Sequence, residues 1–245
     1  MVNNTSEHNN IGGGNVYTVI VAAGSGTRFG SVVPKQFLPL CGKPVLLHTV
    51  ERLHSALPHS HIILVLSDDG RERWNEIIVN YATPPVTIVR GGASRSESVC
   101  NALAVIEPSC ADAVVLIHDG ARPLVNTDMV RALADRISGT DIQALVPALP
   151  LTEAISEVCG DALRPADRER FRTVQTPQAF KAAMLRAAYR KAAGTVMADD
   201  AAVAGAFGGV DISYIAGHPQ NIKITHPSDI AIAEVLMAAP KPYII

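Results

Sequence analysis

Short apolar runs alternate with helical patterns along most of the chain, and this alternation limits the folds that it can adopt. Runs rich in β-branched residues read as strands at residues 16–21, 61–66, 86–89, 113–117 and 142–146. Helical periodicity lies between them, at residues 44–55, 71–81, 94–106 and 127–137. Continuous apolar strands are typical of a parallel sheet that helices cover on both faces. The pattern predicts an α/β fold with a doubly wound, mostly parallel sheet and right-handed crossovers.

The alternation breaks after Pro150. Residues 151–175 contain a polar and charged run at 164–170, with neither a long apolar strand nor a clear helix. An insert of this length is typical of a functional segment, although a solvated surface loop is the simpler alternative. Helical periodicity returns at 179–193, followed by a short strand at 210–215 and a helix at 227–237.

The length of 245 residues, 48% of them hydrophobic, is enough for one large domain with a packed core. We assign this domain to residues 16–239. Residues 1–15, rich in asparagine and glycine, are expected to form a flexible leader, and residues 240–245 a C-terminal tail.

Composition excludes several classes of protein. The longest apolar runs have five residues, far short of the roughly 20 that span a bilayer. A net charge of -2 supplies no field for binding a nucleic acid. The four cysteines lack C-x-x-C spacing, so a reducing cytoplasm is the expected compartment. The scattered histidines also lack the spacing of a zinc site.

The strongest chemical signal is the glycine-rich segment that follows the first strand. Gly24 and Gly26 let backbone N–H groups approach an anion closely, while Arg28 and Lys35 add positive charge at the same loop. A dinucleotide fingerprint would need glycine at Phe29, and the one Gly-Lys pair of the chain precedes proline, which excludes a P-loop. The segment therefore predicts a triphosphate cradle of another type. A glycine turn with solvated charges is the alternative.

Two further clusters follow strands. Gly92 and Ser98 lie in the second, where Ser98 could read a base edge and Ser94 could simply cap a helix. Asp119 lies in the third, where its carboxylate could hold Mg²⁺, directly or through water, or accept from a sugar hydroxyl. A buried aspartate that caps the next loop is the alternative there. The carboxyl ends of parallel strands are where ligands bind in such sheets.

The order of these motifs resembles a known family. The segments A-A-G-x-G-x-R, P-K, G-G-x-x-R-x-x-S-V, H-D-x-A-R-P, Q-T-P-Q and N-I-K-I-T occur in this order between about residues 16 and 237. They are similar to those of the 2-C-methyl-D-erythritol 4-phosphate cytidylyltransferase family of the non-mevalonate isoprenoid pathway. The resemblance implies a Rossmann-like nucleotidyltransferase fold and Mg²⁺-dependent transfer of CMP from CTP to a polyol phosphate.

The resemblance also implies the roles of individual residues. The CTP site would comprise Ala22, Ala23, Gly24, Gly26, Gly92, Arg95, Ser98, Asp119 and Arg122. Asp119 would be the metal ligand. Arg28 and Lys35 would stabilise the α-phosphate in the transition state, and Arg168 and Lys223 would position the attacking phosphate. In relatives the segment that matches residues 151–175 is a protruding arm that embraces a second subunit, so a homodimer is expected.

The chemistry of such a transfer agrees with the residues at hand. A phosphate oxygen is already ionised at neutral pH, so the reaction needs no general base but must bring two polyanions together. Positive charge and positioning then supply the catalysis. We therefore predict that Arg28→Ala and Lys35→Ala each lower turnover by about 10²-fold or more.

Three positions depart from the family pattern, at Gly120, Ala154 and Ala198. The last two replace threonines on the acceptor side, where a lost hydroxyl weakens discrimination between substrates. Thr152 could replace one of them, since in an extended arm it faces the same side as Ala154. Ribitol 5-phosphate is thus an alternative acceptor, and a nucleotide-binding regulator without catalysis is an alternative class. The glycine spacing disfavours a dehydrogenase.

Overall fold

The computed structural model describes residues 16–24, 33–107 and 113–239. The first half of the chain holds β1 (Val16–Val21), β2 (Pro39–Leu40), β3 (Lys43–Pro44), α1 (Val45–Ala56), β4 (His61–Leu66), α2 (Asp68–Asn80), β5 (Thr87–Arg90), α3 (Arg95–Ala104) and β6 (Val114–Asp119). The second half holds α4 (Thr127–Ile137), β7 (Ala144–Pro150), β8 (Ile155–Cys159), β9 (Ala162–Ala166), β10 (Arg172–Val174), β11 (Gln178–Lys181), α5 (Ala182–Lys191), α6 (Asp200–Val203), β12 (Ser213–Ala216) and α7 (Ser228–Ala238). The predicted leader, 1–15, and tail, 240–245, lie outside the described residues.

The predicted sheet is confirmed as a mixed, mostly parallel one. Its strand order is β10-β7-β11-β6-β1-β4-β5, with β12 also pairing with β7. Strands β5, β4, β1 and β6 are parallel neighbours, whereas β11 runs antiparallel to both β6 and β7. Because Val21 pairs with Asp119 in register, the loops after β1 and β6 leave the sheet at the same edge.

Two apolar layers cover the faces of this sheet, as the continuous apolar strands predicted. In β1, Ile20 packs with α1, α2 and α4, while its neighbour Val19 packs with α3 and α5 on the other face. This split follows from the alternation of side chains along a strand. Trp74 of α2 is 1% exposed and belongs to the first layer.

Helix starts follow local capping. The side chains of Ser67, Ser94, Asn126 and Asp199 each accept a backbone N–H bond at the start of a helix. The cap at Ser67 explains why α2 begins at Asp68, three residues before the predicted start. The carboxylate of Asp199 is thus a helix cap.

The segment after β7 differs from the prediction. Residues 151–175 were expected to lack regular structure, but β8 and β9 pair as an antiparallel hairpin that turns at Gly160, and β10 then rejoins β7. Most side chains of the hairpin are exposed, so no apolar alternation marks it in the sequence. The helix expected at 179–193 also begins later, because Gln178–Lys181 pairs as β11 between β6 and β7.

A further short feature is the β2–β3 turn, where Cys41 and Gly42 both adopt left-handed φ angles, 47° and 82°.

No helix within the described ranges is long and apolar enough to cross a membrane.

Candidate active site

Three cationic side chains converge on the carboxylate of Asp119, the last residue of β6. Lys223 Nζ lies 2.9 Å and Arg122 Nε 3.3 Å from Asp119 Oδ2, while Arg95 Nε lies 3.8 Å from Oδ1. The Asp119 side chain is 12% exposed. The cations come from α3, from the turn after β6 and from the segment before α7, so only the folded chain brings them together. The sequence predicted each of these four residues as part of the site, and the fold brings their side chains together.

The surrounding charges control the ionisation of Asp119. Burial by itself raises the pKa of the carboxyl group, but the charges of Lys223, Arg95 and Arg122 outweigh it and hold the pKa well below its usual range. Asp119 is therefore an anion at any physiological pH. A second carboxylate, that of Asp200, lies 2.7 Å from Arg95, so two anions meet three cations and one positive charge remains, which suits a phosphate ligand.

The segment that carries Lys223 is anchored to the turn after β6. Arg122 Nη1 donates to the Asn221 carbonyl oxygen at 2.8 Å, and the Ile224 N–H donates to the Ala121 carbonyl oxygen at the same distance. The buried Asn221 side chain donates in turn to the Thr176 carbonyl oxygen. These bonds hold the backbone on both sides of Lys223, so its ammonium group meets Asp119 without depending on a flexible loop.

A second network lies directly beneath the site. Thr176 Oγ1 accepts from the Asp119 N–H at 3.2 Å and lies 3.0 Å from His118 Nδ1. His118 Nε2 lies 3.3 Å from the Arg122 carbonyl oxygen, which assigns the ring proton to Nε2 and makes Nδ1 the acceptor. Burial lowers the pKa of His118 to about 4, despite the opposing charge of Asp119. His118 is thus a neutral, buried support for the turn.

The first glycine loop is described only in part. Ala22, Ala23 and Gly24 follow β1, and the Gln36 side chain donates to the carbonyl oxygens of Ala22 and Gly24 at 2.8 and 2.9 Å. Lys35 opens the short 3₁₀ helix Lys35–Phe37, next to Gln36. The role of Gln36 in holding this loop was not predicted from the sequence. The available signal was its position directly after Lys35. The predicted residues Gly26 and Arg28 lie outside the described residues.

The second glycine loop is closed by its own helix. The Ser98 hydroxyl donates to the Ser94 carbonyl oxygen and accepts from the Gly92 N–H, at 2.9 and 3.1 Å. Ser94 caps α3 through the Glu97 N–H, as the simpler alternative proposed. Ser98 is 2% exposed and keeps one acceptor lone pair, so its contact with a base remains a prediction.

The arm residue Arg168 lies apart from the Asp119 cluster in the single chain. Its guanidinium donates to the Thr152 carbonyl oxygen at 2.6 Å and faces Glu169 at 3.6 Å, both within the arm. Thr152, Ala154 and Arg168 are all exposed. The fold of this chain therefore unites Arg95, Asp119, Arg122 and Lys223, whereas the contacts of Arg168 lie within the arm.

The donor set limits what kind of metal could bind. Within the described residues no group of three or more His, Cys, Asp or Glu side chains could enclose an ion. Among the described side chains, Asp119 Oδ2 is contacted by Lys223 and Arg122, whereas Oδ1 has the 3.8 Å contact with Arg95. A single available carboxylate oxygen fits Mg²⁺ that is held mainly by nucleotide phosphates and water.

Comparison with known proteins agrees with this geometry. A family model described as 2-C-methyl-D-erythritol 4-phosphate cytidylyltransferase matches residues 16–239. The enzymes of that name from Porphyromonas gingivalis and Cereibacter sphaeroides are 38% and 41% identical over 227 and 222 residues. These matches cover 91% and 90% of this chain and 98% and 96% of the relatives.

Solved structures show the same architecture. The crystal structure of 4-diphosphocytidyl-2C-methyl-D-erythritol synthase from Anaerococcus prevotii superposes with a TM-score of 0.78 at 25% identity, covering 93% of this chain and all of that one. The 2-C-methyl-D-erythritol 4-phosphate cytidylyltransferase of Thermus thermophilus gives 0.67 at 31% identity, covering 90% and 98%. With its motifs, its fold and nearly its whole length matched, the chain belongs to the 2-C-methyl-D-erythritol 4-phosphate cytidylyltransferase family.

Proposed function

We propose that this chain transfers CMP from CTP to 2-C-methyl-D-erythritol 4-phosphate, giving 4-diphosphocytidyl-2-C-methyl-D-erythritol and pyrophosphate for isoprenoid biosynthesis. Family membership supports the reaction. The observation that carries the proposal is the convergence of Lys223, Arg122 and Arg95 on Asp119 at the carboxyl end of β6. Surplus positive charge at this edge is what a reaction between two phosphate groups requires.

The proposed reaction is an in-line substitution at phosphorus. An oxygen of the acceptor phosphate attacks the α-phosphorus of CTP, the new P–O bond forms, and the bond to the bridging oxygen breaks. Pyrophosphate leaves with the electron pair of that bond. Since the nucleophile is already ionised, the protein supplies position and charge and no general base.

The proposed roles divide the cations by phosphate group. Arg28 and Lys35 stabilise the α-phosphate, while Lys223 and the arm residue Arg168 hold the acceptor phosphate. The residues that would contact CTP are Ala22, Ala23, Gly24, Gly26, Gly92, Arg95, Ser98, Asp119 and Arg122. The Gln36 bonds to the carbonyls of the first loop support this assignment, because they shape the backbone next to Lys35.

Magnesium is part of the proposal. Asp119 would hold it through Oδ1, together with the nucleotide. Bound there, Mg²⁺ would neutralise phosphate charge that the side chains leave uncompensated. The role of Asp119 toward Lys223 does not depend on the ion, since the 2.9 Å contact already orients the ammonium group.

We further propose a homodimer in the cytoplasm, in which the arm delivers Arg168 to the site of the partner subunit. The exposed arm and the position of Arg168 outside the Asp119 cluster support the exchange. Free thiols at the described cysteines Cys41, Cys100 and Cys159 support a reducing compartment.

The acceptor is tested by offering each candidate to the enzyme in a separate reaction. Purified chain, CTP and Mg²⁺ are incubated separately with methylerythritol phosphate and with ribitol 5-phosphate, and the CDP-alcohol and pyrophosphate are quantified. We expect product with methylerythritol phosphate. Ribitol is retained as a candidate because Ala154 and Ala198 lack the threonine hydroxyls of the family. Product from ribitol 5-phosphate alone would replace the acceptor, and CTP binding without any product would favour a regulator.

A further inference from the structure

A completely buried carboxylate lies one side chain away from the proposed site. Asp200, in the first turn of α6, has no exposed surface, and its Oδ2 lies 2.7 Å from Arg95 Nη2. The Tyr189 hydroxyl of α5 donates to Asp200 Oδ1. Both carboxylate oxygens are therefore occupied, one by a cation and one by a neutral donor.

The backbone around Asp200 is held independently of Arg95. Asp199 caps α6 through the Ala202 N–H, and the Gln178 side chain donates to Asp199 while accepting from the Ala201 N–H. Gln178 belongs to β11, which pairs directly with β6, the strand that ends in Asp119. Asp200 thus has a defined place relative to the carboxyl end of β6, whether or not Arg95 contacts it.

Arg95 bridges this buried carboxylate and the site. Its Nη2 bonds Asp200, while its Nε faces Asp119 Oδ1 at 3.8 Å, and 32% of its side chain remains exposed. Burial works against the charged guanidinium, but Asp200 and Asp119 outweigh it and raise the pKa of Arg95 above its usual value. The planar fork of a guanidinium bound on one side presents its other N–H groups in a predetermined direction.

Charge attraction between the protein and phosphate does not explain why a carboxylate lies at position 200. A negative charge beside a polyanion site weakens phosphate binding by offsetting the charge of Arg95. Orientation does explain it, because a guanidinium held by a buried carboxylate loses little further freedom when it meets a phosphate.

We propose that Asp200 and Tyr189 are positioning residues for CTP, acting through Arg95, whose guanidinium they hold toward the nucleotide phosphates. This inference rests on the proposed function. Tyr189 holds the carboxylate, the carboxylate holds the guanidinium, and the guanidinium meets the ligand. Neither Asp200 nor Tyr189 touches a substrate.

A double-mutant cycle tests this chain of contacts. We expect Arg95→Ala and Asp200→Asn each to lower kcat by about 10²-fold, and Tyr189→Phe by about tenfold, with smaller changes in KM. In the Arg95→Ala background, Asp200→Asn should have almost no further effect, because its action passes through Arg95. Losses that multiply in the double variant would overturn the proposal. Faster turnover or tighter CTP binding in Asp200→Asn would also overturn it. Such a result would mean that the negative charge of Asp200 affects the site more than its orientation of Arg95 does.

Controls separate positioning from stability. Tyr81→Phe removes a comparable hydroxyl, which donates to the Gly42 carbonyl oxygen at 3.0 Å, and should leave kcat unchanged. Melting temperatures of all variants are measured in parallel. A Tyr189→Phe enzyme that keeps full kcat would contradict the inference even if Asp200→Asn fails to fold.

A turnover-independent measurement separates this inference from the proposed function. Binding of inorganic triphosphate to the same four proteins of the cycle is followed by calorimetry. If the wild-type chain makes no product but its triphosphate affinity shows the same non-additive cycle, the proposed reaction fails and the positioning network stands. A wild-type chain that neither turns over CTP nor binds triphosphate overturns both.

Discussion

At the scale of single residues, His118 and Asp119 are neighbours on β6 with opposite ionisation behaviour. Side chains alternate along a strand, so Asp119 meets three cations while His118 meets Thr176 and the Arg122 carbonyl oxygen. Burial disfavours the charged form of both side chains. The neighbouring cations outweigh this effect for Asp119, whereas burial keeps His118 neutral. A buried neutral imidazole makes stability depend on pH in a predictable direction.

The pH dependence of unfolding should carry the signature of His118. Its pKa is about 4 when folded, against about 6.5 in an unfolded chain, so unfolding takes up a proton between these values. The stability that the neutral ring contributes is complete above pH 6.5, and it decreases as the pH falls toward 4. The slope from this group reaches about 1.4 kcal/mol per pH unit. Urea unfolding of wild type and His118→Gln from pH 7 to 4.5 measures it, and equal slopes would contradict the assignment.

The turn residue Cys41 should be replaceable with a gain in stability. Its φ of 47° lies in the left-handed region, which asparagine and glycine adopt at lower cost than other residues. We expect Cys41→Asn to raise the free energy of unfolding by about 0.5 to 1 kcal/mol. Cys41→Val, β-branched at the same place, should lower it. Urea unfolding under reducing conditions measures both, and the reverse order would refute the argument.

At the scale of elements, the loops that end β1, β5 and β6 support one another through close backbone contacts. A Cβ atom on Gly91 would lie 2.3 Å from the Ala23 Cβ, and one on Gly120 would lie 2.8 Å from the Ala22 Cβ. Ala22 thus approaches position 120 too closely for a Cβ atom to be added there without a local shift. The start of the loop after β1, at Ala22 and Ala23, therefore packs against Gly120 on one side and Gly91 on the other.

This contact predicts a pair of compensating substitutions. Gly91→Ala should displace Ala23 and lower CMP transfer by about tenfold or more, since small misplacements at a catalytic site have large effects. Gly91→Ala combined with Ala23→Gly removes the clash and should recover most of the activity. Pyrophosphate release compares the three proteins. A double variant no better than the single one would show that the loops are not coupled through this contact.

At the scale of the whole molecule, the arm exposes apolar side chains that one chain leaves uncovered. Val158 and Leu163 face each other in register across the hairpin and are 74% and 70% exposed, and Phe171, further along the arm, is 49% exposed. Apolar surface of this kind is typical of an interface. It agrees with the proposed exchange of arms between two subunits.

The proposed dimer should depend on this apolar surface. The double variant Val158→Asp/Leu163→Asp should sediment as a monomer and lose transferase activity, because Arg168 would no longer be delivered to the partner subunit. Val196→Asp, at a 95% exposed valine outside the arm, serves as the control and should remain a dimer. A monomeric wild-type chain with full activity would exclude the arm exchange.

The sequence by itself determined the parallel core and most of the site's composition. Apolar runs such as β1 and β4 cannot be solvated, so their burial and the helices between them follow from local pattern alone. Asp119 was predicted because a carboxylate follows an apolar strand, whereas Lys223 was predicted only through the resemblance to the family. The hairpin of β8 and β9 was missed because its exposed side chains carry no apolar alternation, and β11 was missed because its pairing with the distant strands β6 and β7 decides it.

Only the tertiary structure decided which charges meet. Arg95, Asp119, Asp200 and Lys223 are far apart in the chain, and no local pattern encodes the distances between their side chains. Those distances depend on strand order, on the insertion of β11 beside β6 and on bonds such as that from Arg122 to Asn221. Residue types set the chemistry that is available, whereas packing sets which groups act on one another.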